Sequence, residues 1–246
     1  MHSLLFFSIG ILIILINLFP VIKRQLPNSS YQLGALIGNT SFLGIPIAMA
    51  LLPSETRNFT VGFDLGTTLF SWIFGPFLLQ KNAASKNIPN LKELINALLN
   101  SPASRGIIGV LFAYHFKVEG ILGNYLKGPT KIIIALAIII VGTRLGIIKN
   151  QKNNIFDLNV EIKYTILLKL FILPLIIFCI SKFLNFNTYQ TLAVVLQAGA
   201  PTAISTILMA EAYEINEQIA AKILFTTTLI SIITIPFMTF FLNLIN

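Results

Sequence analysis

Charge is what this sequence has least of: Asp, Glu, Lys and Arg make up 11% of its 246 residues, against about a quarter in a soluble domain. A surface so poor in charge cannot face water on all sides. With 55% hydrophobic residues and a mean hydropathy of +0.83, the solvent it implies is a bilayer. Period-2 alternation is also missing from the apolar runs, which excludes a closed barrel and leaves helices as the way to satisfy every backbone group in hydrocarbon. The fold class expected is therefore all-α integral membrane. Cysteine is nearly absent, so Cys179, alone in an apolar run, supports neither a disulfide framework nor a cysteine metal site and reads as packing. His2 and His115 stand apart without ligand-spaced partners, so no metal is expected. No nucleophile elbow, Walker loop or zinc-protease spacing occurs, which leaves an enzyme unsupported and implies no cofactor. The net charge of +8 is scattered over short loops rather than gathered in a stripe, which argues against nucleic acid as a partner. No Lys or Arg precedes the apolar run 3–19, whereas Lys23 and Arg24 follow it, so it reads as an anchored helix starting outside and not as a secretory signal.

What is present is a series of apolar spans. At about 20 residues per crossing, the spacing predicts eight helices, at roughly 3–22, 31–52, 61–80, 103–116, 130–148, 162–184, 188–212 and 220–244. The polar stretch 81–102 divides them into an N-terminal part, 1–80, and a C-terminal part, 103–246. Eleven Lys and Arg fall on one side of this layout and five on the other, with Lys169 inside the sixth span. The richer side is expected in the cytoplasm and both termini outside, in a plasma or bacterial inner membrane.

Two segments resemble each other. Thr67-Thr68-Leu69-Phe70-Ser71-Trp72-Ile73-Phe74-Gly75-Pro76-Phe77 in the third span and Thr227-Thr228-Leu229-Ile230-Ser231-Ile232-Ile233-Thr234-Ile235-Pro236-Phe237 in the eighth agree at seven of eleven positions. The eighth span is five places after the third, an odd offset, so the two cross the membrane in opposite senses, as in the inverted repeats of secondary transporters. The span before each copy is interrupted near its middle: Gly38-Asn39-Thr40-Ser41-Phe42-Leu43-Gly44-Ile45-Pro46 in the second, Gln197-Ala198-Gly199-Ala200-Pro201-Thr202-Ala203-Ile204-Ser205 in the seventh. Proline removes an N–H and opens the helix, and open backbone at membrane depth is tolerated only against protein or a wet cavity. A lone proline often only kinks a span. Paired interruptions that also carry the amides Asn39 and Gln197 point to a transport site.

At these residues the sequence resembles the auxin efflux carrier family, which includes bacterial malate and malonate permease-like proteins. The resemblance lies in GNTSFLGIP, LGTTLFSWIFGP, VGTRL, LQAGAPTAISTILMAEAY and ILFTTTLISIITIPF, in order along the chain. It implies two inverted five-helix repeats, two broken helices crossing at Pro46 and Pro201, and an elevator-like movement against a scaffold that forms the wall of a homodimer. It further implies transport of small organic anions such as carboxylates, down a gradient or coupled to protons. The chain offers three helices plus five, so the first two of ten are expected to be lacking. That leaves a sodium-coupled bile-acid-type symporter and a truncated, non-transporting membrane subunit as alternatives.

A carboxylate leaving water needs N–H and hydroxyl donors, best supplied by the positive ends of half-helices. The backbone following Pro46 and Pro201, with Asn39, Thr40, Gln197, Thr202 and Ser205 beside it, is the expected binding set. Asp64 is an ionisable group within a span, and reads either as a proton carrier or as an interfacial carboxylate reaching headgroup water. Arg144 and Lys169 are expected to snorkel in structural roles, and Glu211, Glu214 and Glu217 to form a solvated turn.

Overall fold

In the computed structural model the described residues are 26–80, 92, 108–109, 111–113, 115–150, 158–212 and 215–245. The expected first span and the polar 81–102 stretch, Lys92 apart, lie outside them, as does half of the expected fourth span. The described elements are helical. Asn28 caps α1 (Ser29–Leu36) by accepting from the Ser30 N–H at 2.8 Å. The backbone is then extended at Ile37 and resumes as a π-helical turn, Thr40–Gly44, continuous with α2 (Ile45–Leu51). A short 3-10 turn, Ser54–Thr56, leads into α3 (Arg57–Gln80), and α4 covers Glu119–Asn150. Next come α5 (Val160–Leu167), a π turn (Leu168–Ile172) and α6 (Leu173–Phe183) as one rod. The chain ends with α7 (Thr188–Ala198), α8 (Ser205–Ala212) and α9 (Glu217–Ile245).

Each π turn is followed by a proline at the start of the next α segment, Pro46 and Pro174. Proline has no N–H for the carbonyl a turn before it and its ring crowds that carbonyl. One wide turn relieves both without breaking the helix. The break expected at Pro46 therefore lies earlier, at Ile37–Asn39, whereas Pro201 does sit in the gap between α7 and α8. The span expected from 130 begins at Glu119, because Pro129 is accommodated inside α4 and its polar first turns remain helical. At 32 residues α4 is about 48 Å long, more than hydrocarbon alone requires.

Two helices among the described residues are long and apolar enough to cross a membrane, Val160–Phe183 with mean hydropathy 2.3 and Glu217–Leu242 with 1.9. Their outward faces carry exposed Leu175, Phe183, Ile232, Ile233, Phe237 and Phe240, side chains suited to lipid. Cys179 is exposed on α6, so its expected packing role is corrected.

Packing places the interrupted segments at the centre. α7 lies between α6 and α3 over Phe63, Leu173, Ile177, Leu192 and Val195. α1 lies between α5 and α9 over Tyr31, Ile162, Leu170 and Ile223. The Asn159 side chain caps α5 at the Ile162 N–H and donates to the Tyr31 hydroxyl at 2.8 Å, tying α5 to α1. Ala210, Ala220 and Ala221 let α8 approach α9 closely.

Candidate functional site: two helix breaks facing one cavity

The two breaks meet. Gly38 and Thr202 form an antiparallel bridge in which the Asn39 N–H donates to the Pro201 carbonyl at 2.6 Å and the Ala203 N–H to the Ile37 carbonyl at 2.9 Å. Backbone that has left its helix within an apolar interior must find partners, and here each break supplies them to the other. The Thr202 N–H donates to the Thr227 hydroxyl at 3.1 Å, and the Thr202 hydroxyl donates to the Gly34 carbonyl at 2.7 Å. Four half-helix ends converge: the C-terminal ends of α1 and α7, and the N-terminal ends of Thr40–Leu51 and α8.

Gln197 is fully buried and inserts into the π turn. In the amide orientation that satisfies both groups, its nitrogen donates to the Thr40 carbonyl at 3.3 Å and its oxygen accepts from the Ile45 N–H at 3.2 Å. Gly44 makes room for it, since a Cβ there would stand 2.9 Å from Gln197 Cδ and closer still to a terminal atom of its amide. Asp64 lies two turns inside α3 and is 8% exposed, so the reading of it as an interfacial carboxylate in headgroup water is corrected. Its Oδ1 accepts from the hydroxyls of Thr40 and Ser41, binding α3 to the start of the second half of the broken helix.

Lys169 does not snorkel. It is 2% exposed, lies in the π turn before Pro174, and its Nζ donates to the Ala198 carbonyl at 2.9 Å. Gly38 admits it, because a Cβ at that position would be 2.7 Å from the Nζ.

Beside the crossing is a cavity of about 280 Å³, at the small end of ligand pockets. Asn39, Thr40, Ser41, Thr67, Ser71 and Ser205 give its wall polarity, and Ile37, Phe42, Ala203 and Leu208 supply apolar surface. Both N-terminal ends, at Thr40 and at Ser205, border this space. The N–H groups of Phe42, Thr206 and Ile207 already donate to Asn39 Oδ1 and to the Ala203 and Ile204 carbonyls, so what each end contributes is the positive pole of its dipole. Asn39 Oδ1 accepts from the Phe42 N–H at 3.3 Å, whereas its buried Nδ2 has no partner. Thr67 donates to the Phe63 and Asp64 carbonyls and Ser71 to the Thr67 carbonyl, so these hydroxyls retain lone pairs for a ligand.

The family model described as membrane transport protein matches residues 106–239, more than half of the chain. The chain belongs to that family. This is the group to which the auxin efflux carrier resemblance pointed, and it is a family of transport proteins, not of enzymes. An uncharacterized transporter of Methanocaldococcus jannaschii is 23% identical over 208 residues. An uncharacterized transporter of Methanothermobacter thermautotrophicus is 25% identical over 202 residues. Each alignment takes in 82% of this chain and 64% of the relative, so the chain spans less than two thirds of the curated relatives it matches. No solved structure matches.

Within this membrane transport protein the expected residues divide by position. Asn39, Thr40 and Ser205 line the cavity. Thr202 and Pro201 form the bridge behind it, and Gln197 braces the π turn. Pro46 lies beyond the crossing, in α2. Ser41, Thr67, Ser71 and Thr227 were not singled out as site residues from the sequence, and Lys169 was expected only to snorkel. Ser41, Thr67 and Ser71 stood inside segments quoted for their family or repeat pattern, so the signal was present, but one sequence does not say which hydroxyls share a cavity.

Proposed function

We propose that this membrane transport protein is a secondary carrier that moves small organic anions, carboxylates among them, by alternating access at the crossed breaks. The observation that carries the reading is Asn39, which lines a cavity bordered by two helix N-terminal ends and whose buried Nδ2 has no partner. Amide protons and helix N-termini favour negative charge, and a buried donor without an acceptor is destabilising until a ligand supplies one. A carboxylate seated there would leave the rest of a small substrate against Thr67 and Ser71.

Asp64 is the proposed proton-coupling group. While ionised it holds the hydroxyl protons of Thr40 and Ser41. On taking a proton it becomes a weaker acceptor, and the two hydroxyls are released to donate to the anion. The inverted repeat belongs to the same proposal. Thr67 and Thr227 each donate to the carbonyls three and four residues before them, on helices that pack against a broken partner. The uneven distribution of Lys and Arg supports an eight-helix layout with both termini outside.

Tracer flux into proteoliposomes, with a panel of dicarboxylates and aromatic acids and with or without a pH gradient, tests the proposal. Saturable uptake of a carboxylate, faster with the lumen alkaline, is expected. Uptake of none of the panel by a folded protein would refute it.

A further inference from the structure

Lys169 is used by nothing proposed so far. Its ammonium is buried, carries three donors, and has a carbonyl, not a carboxylate, as its hydrogen-bond partner. That carbonyl belongs to Ala198, the last residue of α7, where a helix presents the negative end of its dipole. The carbonyls of Val195 and Gln197 are taken by the Gly199 and Ala200 N–H groups, whereas that of Ala198 accepts from the lysine. The Ala200 carbonyl borders the same space, 3.4 Å from the point a Gly38 Cβ would occupy and across from the lysine. The glycine itself is part of the arrangement, because any larger residue would meet the Nζ.

Unwound carbonyls and half-helix C-termini are the groups that hold free monovalent cations in carriers built from broken helices. We infer that the Lys169 ammonium is a tethered cation: through its covalent link to the chain it occupies a carbonyl-lined monovalent-cation site at the back of the crossing. Removing the side chain opens that site to a small free cation. The inference concerns the architecture of the crossing and goes beyond the anion-carrier reading. A tethered charge stabilises the C-terminal end of α7 without a dissociable ion, so the intact protein has no requirement for sodium at this position.

The test is thermal stability of the purified protein, a readout that does not depend on any transported substrate and so fails or succeeds separately from the carrier proposal. Wild type, Lys169→Ala and Lys169→Met are melted at constant ionic strength in choline, sodium, ammonium or methylammonium chloride. Wild type is expected to melt alike in sodium and choline. Lys169→Ala is expected to melt lower and to gain about 5 to 10 °C, saturably, from methylammonium, the shift expected at a hundredfold excess over the dissociation constant in a protein of this size. Lys169→Met, which fills the space without charge, is expected to show no such gain. If Lys169→Ala does not survive purification in choline, recovery in methylammonium supports the inference and failure in both overturns it. Saturable stabilisation of wild type by sodium, or an Ala variant indifferent to every small cation, overturns it as well.

Discussion

Gly44→Ala tests whether Gln197 braces the broken helix as the geometry requires. The new methyl would lie 2.9 Å from Gln197 Cδ, nearer than real Cβ contacts come, and nearer still to one of the two terminal atoms of its amide. Gln197 is fully buried, so it must turn away and release the Thr40 carbonyl and the Ile45 N–H. Crowding of this kind costs about 1 to 3 kcal/mol, and two lost hydrogen bonds add about 1 kcal/mol each. The expected destabilisation is about 3 to 5 kcal/mol, roughly 10 °C or more in melting temperature for a protein of this size. Gln197→Ala removes the object of the clash, so Gly44→Ala in that background should cost at least about 1 kcal/mol less than it does alone. Thermal melts of wild type, both single variants and the double variant in one detergent provide the cycle. Strict additivity would show that the two side chains do not compete for the same space and would refute the reasoning.

Thr202→Val should lower stability by about 1 to 2 kcal/mol, because the hydroxyl bound to the Gly34 carbonyl is lost in a fully buried position; chemical denaturation measures it, and no change would detach Thr202 from the crossing. Asp64→Asn should fold, since the amide oxygen still accepts from Thr40 and Ser41, yet its uptake should lose the acceleration by a pH gradient. Uptake that responds to the gradient as wild type does would remove Asp64 from coupling.

Much of the local structure was legible in the sequence, and its long-range consequences were not. The edges of α3, of the α5 to α6 rod and of α9 follow apolar runs, and fall within a few residues of where hydropathy put them. The polar beginning of α4 misled because Glu119, Asn124 and the Gly128–Pro129 pair resemble a loop, while nothing in a single sequence reveals that a helix continues past hydrocarbon. Proline was a useful but blunt signal. Pro201 marks a gap, whereas Pro129, Pro174 and Pro236 sit within helical runs and Pro46 follows a π turn. The sharper markers of interruption were Gly38 and Asn39, and Gly199 and Ala200, small or amide residues at which backbone can approach backbone. Lys169 was expected to snorkel, because a lysine two turns into an apolar helix ordinarily does. Its destination was set by a bare carbonyl 29 residues away and a glycine on another helix, which only the tertiary structure brings together.

The central claim is that an anion is held at the crossed breaks beside Asn39. Asn39→Asp tests it most directly, because the carboxylate can still accept from the Phe42 N–H while the unpartnered Nδ2 gives way to a charged oxygen on a residue that lines the cavity. Carboxylate uptake by this variant in proteoliposomes, at wild-type melting temperature, should show KM raised about tenfold or more, the equivalent of about 1.4 kcal/mol of lost binding. A KM and maximal rate equal to those of wild type would contradict the account.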